Sequence, residues 1–140
     1  MPVEIQEFRR VLPDDVQEQL HKVYIDMPAS KDADDVIANV ERALQAGGRY
    51  YAGLFNGRWI CGVLVSGDQQ ERSMSYLAVH PATRGRGVAE RLVDEVRALE
   101  GQRGPGYLNT TFDCADADLV SIFEAIGFIA HEGGVYRCQI

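Results

Sequence analysis

Between Leu77 and Ala89 the chain changes period, and that switch limits the folds open to it. Met74 to His80 reads as an apolar strand that stops at Pro81. Past Arg84-Gly85-Arg86-Gly87, the residues Val88, Leu92, Val93, Val96 and Leu99 recur at helical spacing and predict a helix over 87–100. Gly101 to Gly106 is rich in breakers, and Tyr107 to Phe112 returns to strand character. Strand 74–80, helix 87–100 and strand 107–112 form a right-handed βαβ crossover, so the sheet is mixed.

The other segments fit around this unit. Val3, Ile5 and Phe8 suggest a short opening strand. Pro13-Asp14-Asp15 starts a helix whose apolar side is Val16, Leu20, Val23 and Tyr24, ending near Met27-Pro28. Asp32 caps a second helix carrying Val36, Ile37, Val40 and Leu44, stopped by Gly47-Gly48. Runs over Tyr50–Phe55 and Trp59–Val65 meet at Asn56-Gly57, a strong hairpin signal. A loop over Gly67–Gln70 leads into the strand at 74–80. Leu119, Val120, Ile122, Phe123 and Ile126 mark a third amphipathic stretch closed by Gly127, and Phe128–His131 and Val135–Cys138 flank Gly133-Gly134. The order is β-α-α-β-β-β-α-β-α-β-β: an α+β chain, one domain over 1–140, with a mostly antiparallel sheet of six to seven strands and helices on both faces.

Composition narrows the class. The 140 residues are 46% hydrophobic and 25% charged, ordinary globular values, and no apolar run approaches membrane-span length. The N-terminus lacks the basic start and apolar stretch of a secretion signal. Cys61, Cys114 and Cys138 form no CxxC pair, and an odd count argues against a disulfide framework. The expectation is a reduced cytoplasmic protein. A net charge of −7 disfavours nucleic-acid binding, which needs a basic face. His21, His80 and His131 show no metal-ligand spacing, so no metal site is expected.

The chemistry concentrates in the glycine turn. Amides at a helix start have no internal partners, and the helix dipole adds partial positive charge there. Glycines let such a backbone approach a phosphate or pyrophosphate closely, with Arg84 and Arg86 as nearby cations. The alternative on physics alone is a βα turn with solvated arginines. The turn is not a P-loop, because no GxxxxGK[ST] is present, and it is not a Rossmann turn, because GxGxxG fails and the position is mid-chain.

Arg84-Gly85-Arg86-Gly87-Val88-Ala89 resembles the [QR]xxGx[GA] loop of the GNAT superfamily of N-acetyltransferases, which holds the pyrophosphate of acetyl-CoA. Leu77-Ala78-Val79-His80-Pro81 looks like that family's fourth strand, and Ile122-Phe123-Glu124-Ala125-Ile126-Gly127-Phe128 resembles its LYEKLGF segment. The resemblance covers about residues 3–138 and includes the order of elements. It implies acetyl-CoA as cofactor, with amides from Arg86 to Ala89 on the pyrophosphate and main-chain groups of Leu77, Ala78 and Val79 along the pantetheine arm. It also implies that the fourth and fifth strands splay, and that a bulge near Ala78 leaves an N–H to polarise the thioester carbonyl.

Two departures bear on catalysis. Phe123 stands where the family carries a tyrosine that protonates the leaving thiolate; it either borders the cofactor or is a core aromatic. Tyr107 or Tyr136 could substitute. No glutamate stands on the fourth strand, so the base candidates are Glu71 in the preceding loop and Asp113 at the end of the fifth strand, the latter more readily read as a helix-capping carboxylate before 116–126. Asp116 occupies the position of a family asparagine that contacts the cofactor arm, and an N-cap explains it as well.

The resemblance implies an N-acetyltransferase acting on a small-molecule or protein amine. Its alternative is an acetyl-CoA-binding regulator like the PanZ (PanM) branch of the superfamily, which promotes maturation of the aspartate decarboxylase proenzyme. The chain resembles that branch in its short length, in Phe123, in Gly133-Gly134 ahead of Cys138, and in the run Thr83 to Val88. Either a monomer or a homodimer is compatible with the sequence.

Overall fold

The Asn56-Gly57 turn anchors the sheet. Both residues adopt positive φ (51° and 73°), which matches the twist a two-residue hairpin needs. In the computed structural model, which describes residues 3–25, 32–83, 85–111 and 117–140, this turn joins β2 (Arg49–Phe55) to β3 (Arg58–Gly67). Ahead of them lie β1 (Glu4–Arg9), α1 (Asp14–Tyr24) and α2 (Ala33–Gln45), the last capped by the Asp32 side chain accepting from the Asp34 N–H at 2.9 Å. After them come β4 (Glu71–Val79), α3 (Val88–Arg103), β5 (Tyr107–Thr111), α4 (Ala117–Ile126), β6 (Ile129–Ala130) and β7 (Val135–Gln139).

The seven strands form one sheet in the order β1-β2-β3-β4-β5-β7-β6. Only β4 and β5 run parallel, as the crossover requires. The expected order of elements and the mixed, mostly antiparallel sheet are therefore present. Two boundaries bear on the site. β4 begins at Glu71, not at 74, so Glu71 lies on the strand and not in the loop before it. α3 continues through Gly101 to Arg103, because the fully buried Arg72 on β4 donates to the carbonyls of Glu100 (2.6 Å) and Gly104 (2.7 Å) and holds the last turn closed. A cation at that end also suits the helix dipole.

Alternation along the central strands sorts side chains into two cores. Tyr50, Ala52, Leu64 and Ala78 face α1 and α2 and join Leu20, Val23, Tyr24, Val40 and Leu44. Tyr51, Val63, Val65 and Met74 face the other way and pack with Val88, Leu92, Val93 and Val96 of α3 and Phe123 of α4. Helices thus cover both faces. Among the described residues, no helix is long and apolar enough to cross a membrane.

Candidate functional site

The glycine turn is built as the sequence suggests. Gly85 and Gly87 both have φ +77°, a conformation that L side chains adopt only at a cost. A Cβ at either would meet nothing within 4 Å, so the glycines serve the backbone's shape and leave the outer side of the turn open. Gly87 is the N-cap of α3 and brings no side-chain cap, so the amides that follow keep the unsatisfied donors of a helix start. Val88 is buried and fixes the helix to the core, while Gly85, Arg86 and Gly87 are exposed. Arg84 lies outside the described residues, as do Asp113 and Asp116.

The turn is reached through His80. Its N–H donates to the Ile60 carbonyl (2.7 Å), its Nδ1 accepts from the Ala82 N–H (3.1 Å), and its carbonyl accepts from the Thr83 N–H and hydroxyl. Scattered histidines gave no signal of this role. The ring organises the path from strand to helix by local hydrogen bonds.

The second part of the site is the edge of β4. Pairing with β5 runs from Glu71↔Tyr107 to Met74↔Thr110 and, among the described residues, stops there, although β4 continues to Val79. The positions that this register would set opposite Leu77, Ala78 and Val79, residues 113–115, lie outside the described residues. On the β3 side, Gly62 pairs with Ala78 but Leu64 pairs with Ser75, so Tyr76 and Leu77 together oppose Val63. This is a bulge one step before the expected position, with Tyr76 at φ +56°. The inserted residue reverses the facing of everything after it. Arg72 and Met74 point toward α3, yet so do Leu77 and Val79. Ala78 joins the core under α1 and α2.

Three further residues hold the bulge, and the sequence reading placed them only as packing. The Tyr24 hydroxyl at the end of α1 donates to the Tyr76 carbonyl at 2.6 Å. That carbonyl is acceptor-only, so the second contact, Tyr24 to the Tyr50 hydroxyl at 2.7 Å, has Tyr50 as donor. Burial pushes both phenols well above the ordinary tyrosine range, so both keep their protons. Gly62 makes room for the pair, because a Cβ there would sit 1.8 Å from the Tyr50 hydroxyl. Helical periodicity put Tyr24 on an apolar face and the strand pattern placed Tyr50 in a strand, but neither reveals where a buried hydroxyl ends.

Other candidates are placed elsewhere. Glu71 and Tyr107 face each other at the opposite end of β4, more than about 20 Å from Ala78 at roughly 3.3 Å per residue. Glu71 is engaged there by Arg137 and by Asn109 (2.9 Å), and Arg137 lies 3.7 Å over the Tyr107 ring. Neither can serve a reaction beside Ala78. Tyr136 pairs with Thr110, nearer that end of the sheet, and is half-buried against the core. Phe123 is fully buried and meets Phe128 edge to face at 4.9 Å. The structure gives it the core role. Among the described residues, no cluster of His, Cys, Asp or Glu is placed to hold a metal ion.

An open glycine turn with uncapped helix amides, at the end of a bulged strand, fits a ligand that carries a pyrophosphate, as does the cofactor that the sequence resemblance implies.

Comparison with known proteins agrees in fold and in family. The family described as "Acetyltransferase (GNAT) domain, PanZ" matches residues 2–136. The PanD regulatory factor of Escherichia coli is 32% identical over 96 residues, covering 64% of this chain and 71% of that protein. Among solved structures, a GNAT-family acetyltransferase from Staphylococcus aureus superposes with a TM-score of 0.79 at 13% identity, covering 99% of each chain. The PaiA N-acetyltransferase of Thermoplasma acidophilum, solved in complex with coenzyme A, gives 0.75 at 12% identity over the full length of both chains. A GNAT-family acetyltransferase from Brucella melitensis, in complex with acetyl-CoA, gives 0.72 at 15% identity and covers 99% of this chain and 88% of that one.

Proposed function

The chain belongs to the PanZ family of GNAT acetyltransferase domains, and from that premise we propose that it is a single-domain, acetyl-CoA-binding regulator of the aspartate decarboxylase proenzyme. The observation that carries the reading is the exposed glycine turn that opens α3, together with the burial of Phe123 at the position of the family's general acid. The first supplies backbone donors for the cofactor's pyrophosphate. The second leaves that position with no proton to give.

In this reading the amides of Arg86 to Ala89 hold the pyrophosphate, with Arg84 and Arg86 as flanking cations. Leu77 to Val79 align the pantetheine arm. Asp116 stands in sequence where the family carries an asparagine that contacts the arm. Acetyl-CoA acts as a ligand: its binding free energy is coupled to affinity for the partner, and the coupling is reciprocal. The relatedness to the PanD regulatory factor supports the partner class.

Purified proenzyme tests the reading. With acetyl-CoA present, this protein should bind the proenzyme and speed its self-cleavage, and removing acetyl-CoA should weaken both. Equal binding with and without acetyl-CoA would contradict the coupling.

A second reading, N-acetyl transfer to an amine, draws on the β4 bulge, beside which the family resemblance expects the thioester carbonyl. Phe123→Tyr separates the two. For a regulator, the added hydroxyl is a buried polar group without a partner, so the variant loses about 1–3 kcal/mol of stability and gains no transfer. A gain in coenzyme A release over an amine panel would favour the transferase.

A further inference from the structure

At the end of the sheet away from the glycine turn, residues of α3, β5, β6 and β7 and the close of α4 border a pocket of about 460 Å³. We propose that this pocket is a second binding site, and that its ligand is a small organic carboxylate with an apolar body, held by the guanidinium groups of Arg97 and Arg137.

Two observations converge on it. Among the described residues, the buried side-chain polar atoms that lack a hydrogen-bond partner are Arg97 Nε and Arg137 Nε, and both arginines line this pocket. A buried N–H without an acceptor is costly, and a bound group that accepts from it explains why it is kept. The second observation is charge. The chain carries 21 acidic residues and a net charge of −7, yet the lining holds two arginines and His131 and no Asp or Glu. Burial raises the Cys138 thiol against the pull of Arg97, so that group adds no negative charge.

Neither arginine is tied down by a buried partner. Arg97 Nη2 donates to Asp94 at 2.7 Å and Arg137 Nη2 to Glu71, carboxylates that are 58% and 52% exposed. Exposed ion pairs of this kind are worth little, so either guanidinium can turn from them. Once turned, it offers Nε and an Nη together, the fork that takes both oxygens of a carboxylate. The Tyr107 ring lies 3.7 Å from the Arg137 guanidinium and keeps that group at the pocket wall. Ile126 and Ile129 line the same pocket, the latter 67% exposed. A hydrocarbon or aromatic body covers that surface, and an inorganic anion leaves it bare.

The probe is 3-phenylpropionate, with 3-phenylpropionamide and inorganic phosphate as controls. In ¹⁵N-labelled protein, saturating 3-phenylpropionate should move the Arg97 and Arg137 Nε–H signals downfield while the backbone amides of residues 85–89 stay still. The amide keeps the shape and loses the charge, and should bind at least about tenfold more weakly. Phosphate should also bind more weakly. Arg97→Gln and Arg137→Gln should each weaken binding of the acid about tenfold and leave acetyl-CoA affinity unchanged. Nε–H signals that do not move with the acid, equal binding of acid and amide, phosphate binding as tightly as the acid, or an acid affinity unchanged in both variants would each overturn the assignment. The wild-type titrations decide the matter if a variant fails to fold.

Discussion

The two ends of β4 are built by opposite rules. At Arg72–Met74 the strand is paired on both sides and locked to α3. Glu100, fully buried near the end of α3, takes two hydrogen bonds of 2.8 Å from Arg49, shares the Tyr51 hydroxyl, and lies 3.4 Å from Arg103 and 3.7 Å from the buried Arg72. At Tyr76–Val79 the strand bulges and leads into an exposed glycine turn. One end commits charged groups to fixing the strands together, and the other opens a helix whose first amides have no side-chain cap.

The largest expected effect comes from breaking the locked end. Glu100→Ala leaves Arg72 buried and Arg49 without its carboxylate, and should cost about 3–5 kcal/mol of stability in denaturant unfolding. Ligand affinity of the fraction that remains folded should change little. A loss below about 1 kcal/mol would mean that the network is not what holds this end.

Breaking the open end should have the reverse signature. Gly87→Val forces a β-branched residue into φ +77°, so the turn either strains or rearranges. Acetyl-CoA affinity should fall at least about tenfold, roughly 1.4 kcal/mol, while the thermal midpoint drops only a few degrees. Unchanged affinity would remove the glycine turn from the site.

The smallest effect is a pH dependence confined to the locked end. Burial alone would raise the Glu100 carboxyl, but the hydrogen bonds from Arg49 and Tyr51 and the charges of Arg49 and Arg103 outweigh it and hold the group below the ordinary glutamate range. A carboxylate depressed on folding contributes stability that is complete above the unfolded value, about 4.3, and is lost as pH falls through the folded value. Stability should therefore decline below about pH 5, and Glu100→Gln should flatten that decline. An identical acid limb in the variant would show that Glu100 does not set it.

How far the sequence revealed each end follows the same division. The open end rests on local features: Pro81 stops a strand, glycines shape a turn, and a helical period resumes at Val88. Such features are written in neighbouring residues and are readable from one chain. The Asn56-Gly57 hairpin was legible for the same reason. The locked end depends on Arg49, Arg72 and Glu100, which are far apart in sequence, so no window contains the network. That is also why α3 runs past its expected stop at 100, since Arg72 supplies the terminal partner from another strand. The bulge lies between these cases. Its neighbourhood was expected, but its clamp, Tyr24 on Tyr50, joins residues that periodicity assigns only to apolar faces. Glu71 and Tyr107 were misplaced by the same gap, because nearness to the fourth and fifth strands does not say which end of them lies at the turn.

The central claim is that the bulged end of β4 and the glycine turn form one acetyl-CoA site. Amide chemical-shift mapping of the free protein titrated with acetyl-CoA tests it most directly. The account predicts large shifts confined to residues 77–79 and 85–89, with residues 71–74 and 100–104 nearly still. Saturating shifts at the locked end with none at the turn would contradict it.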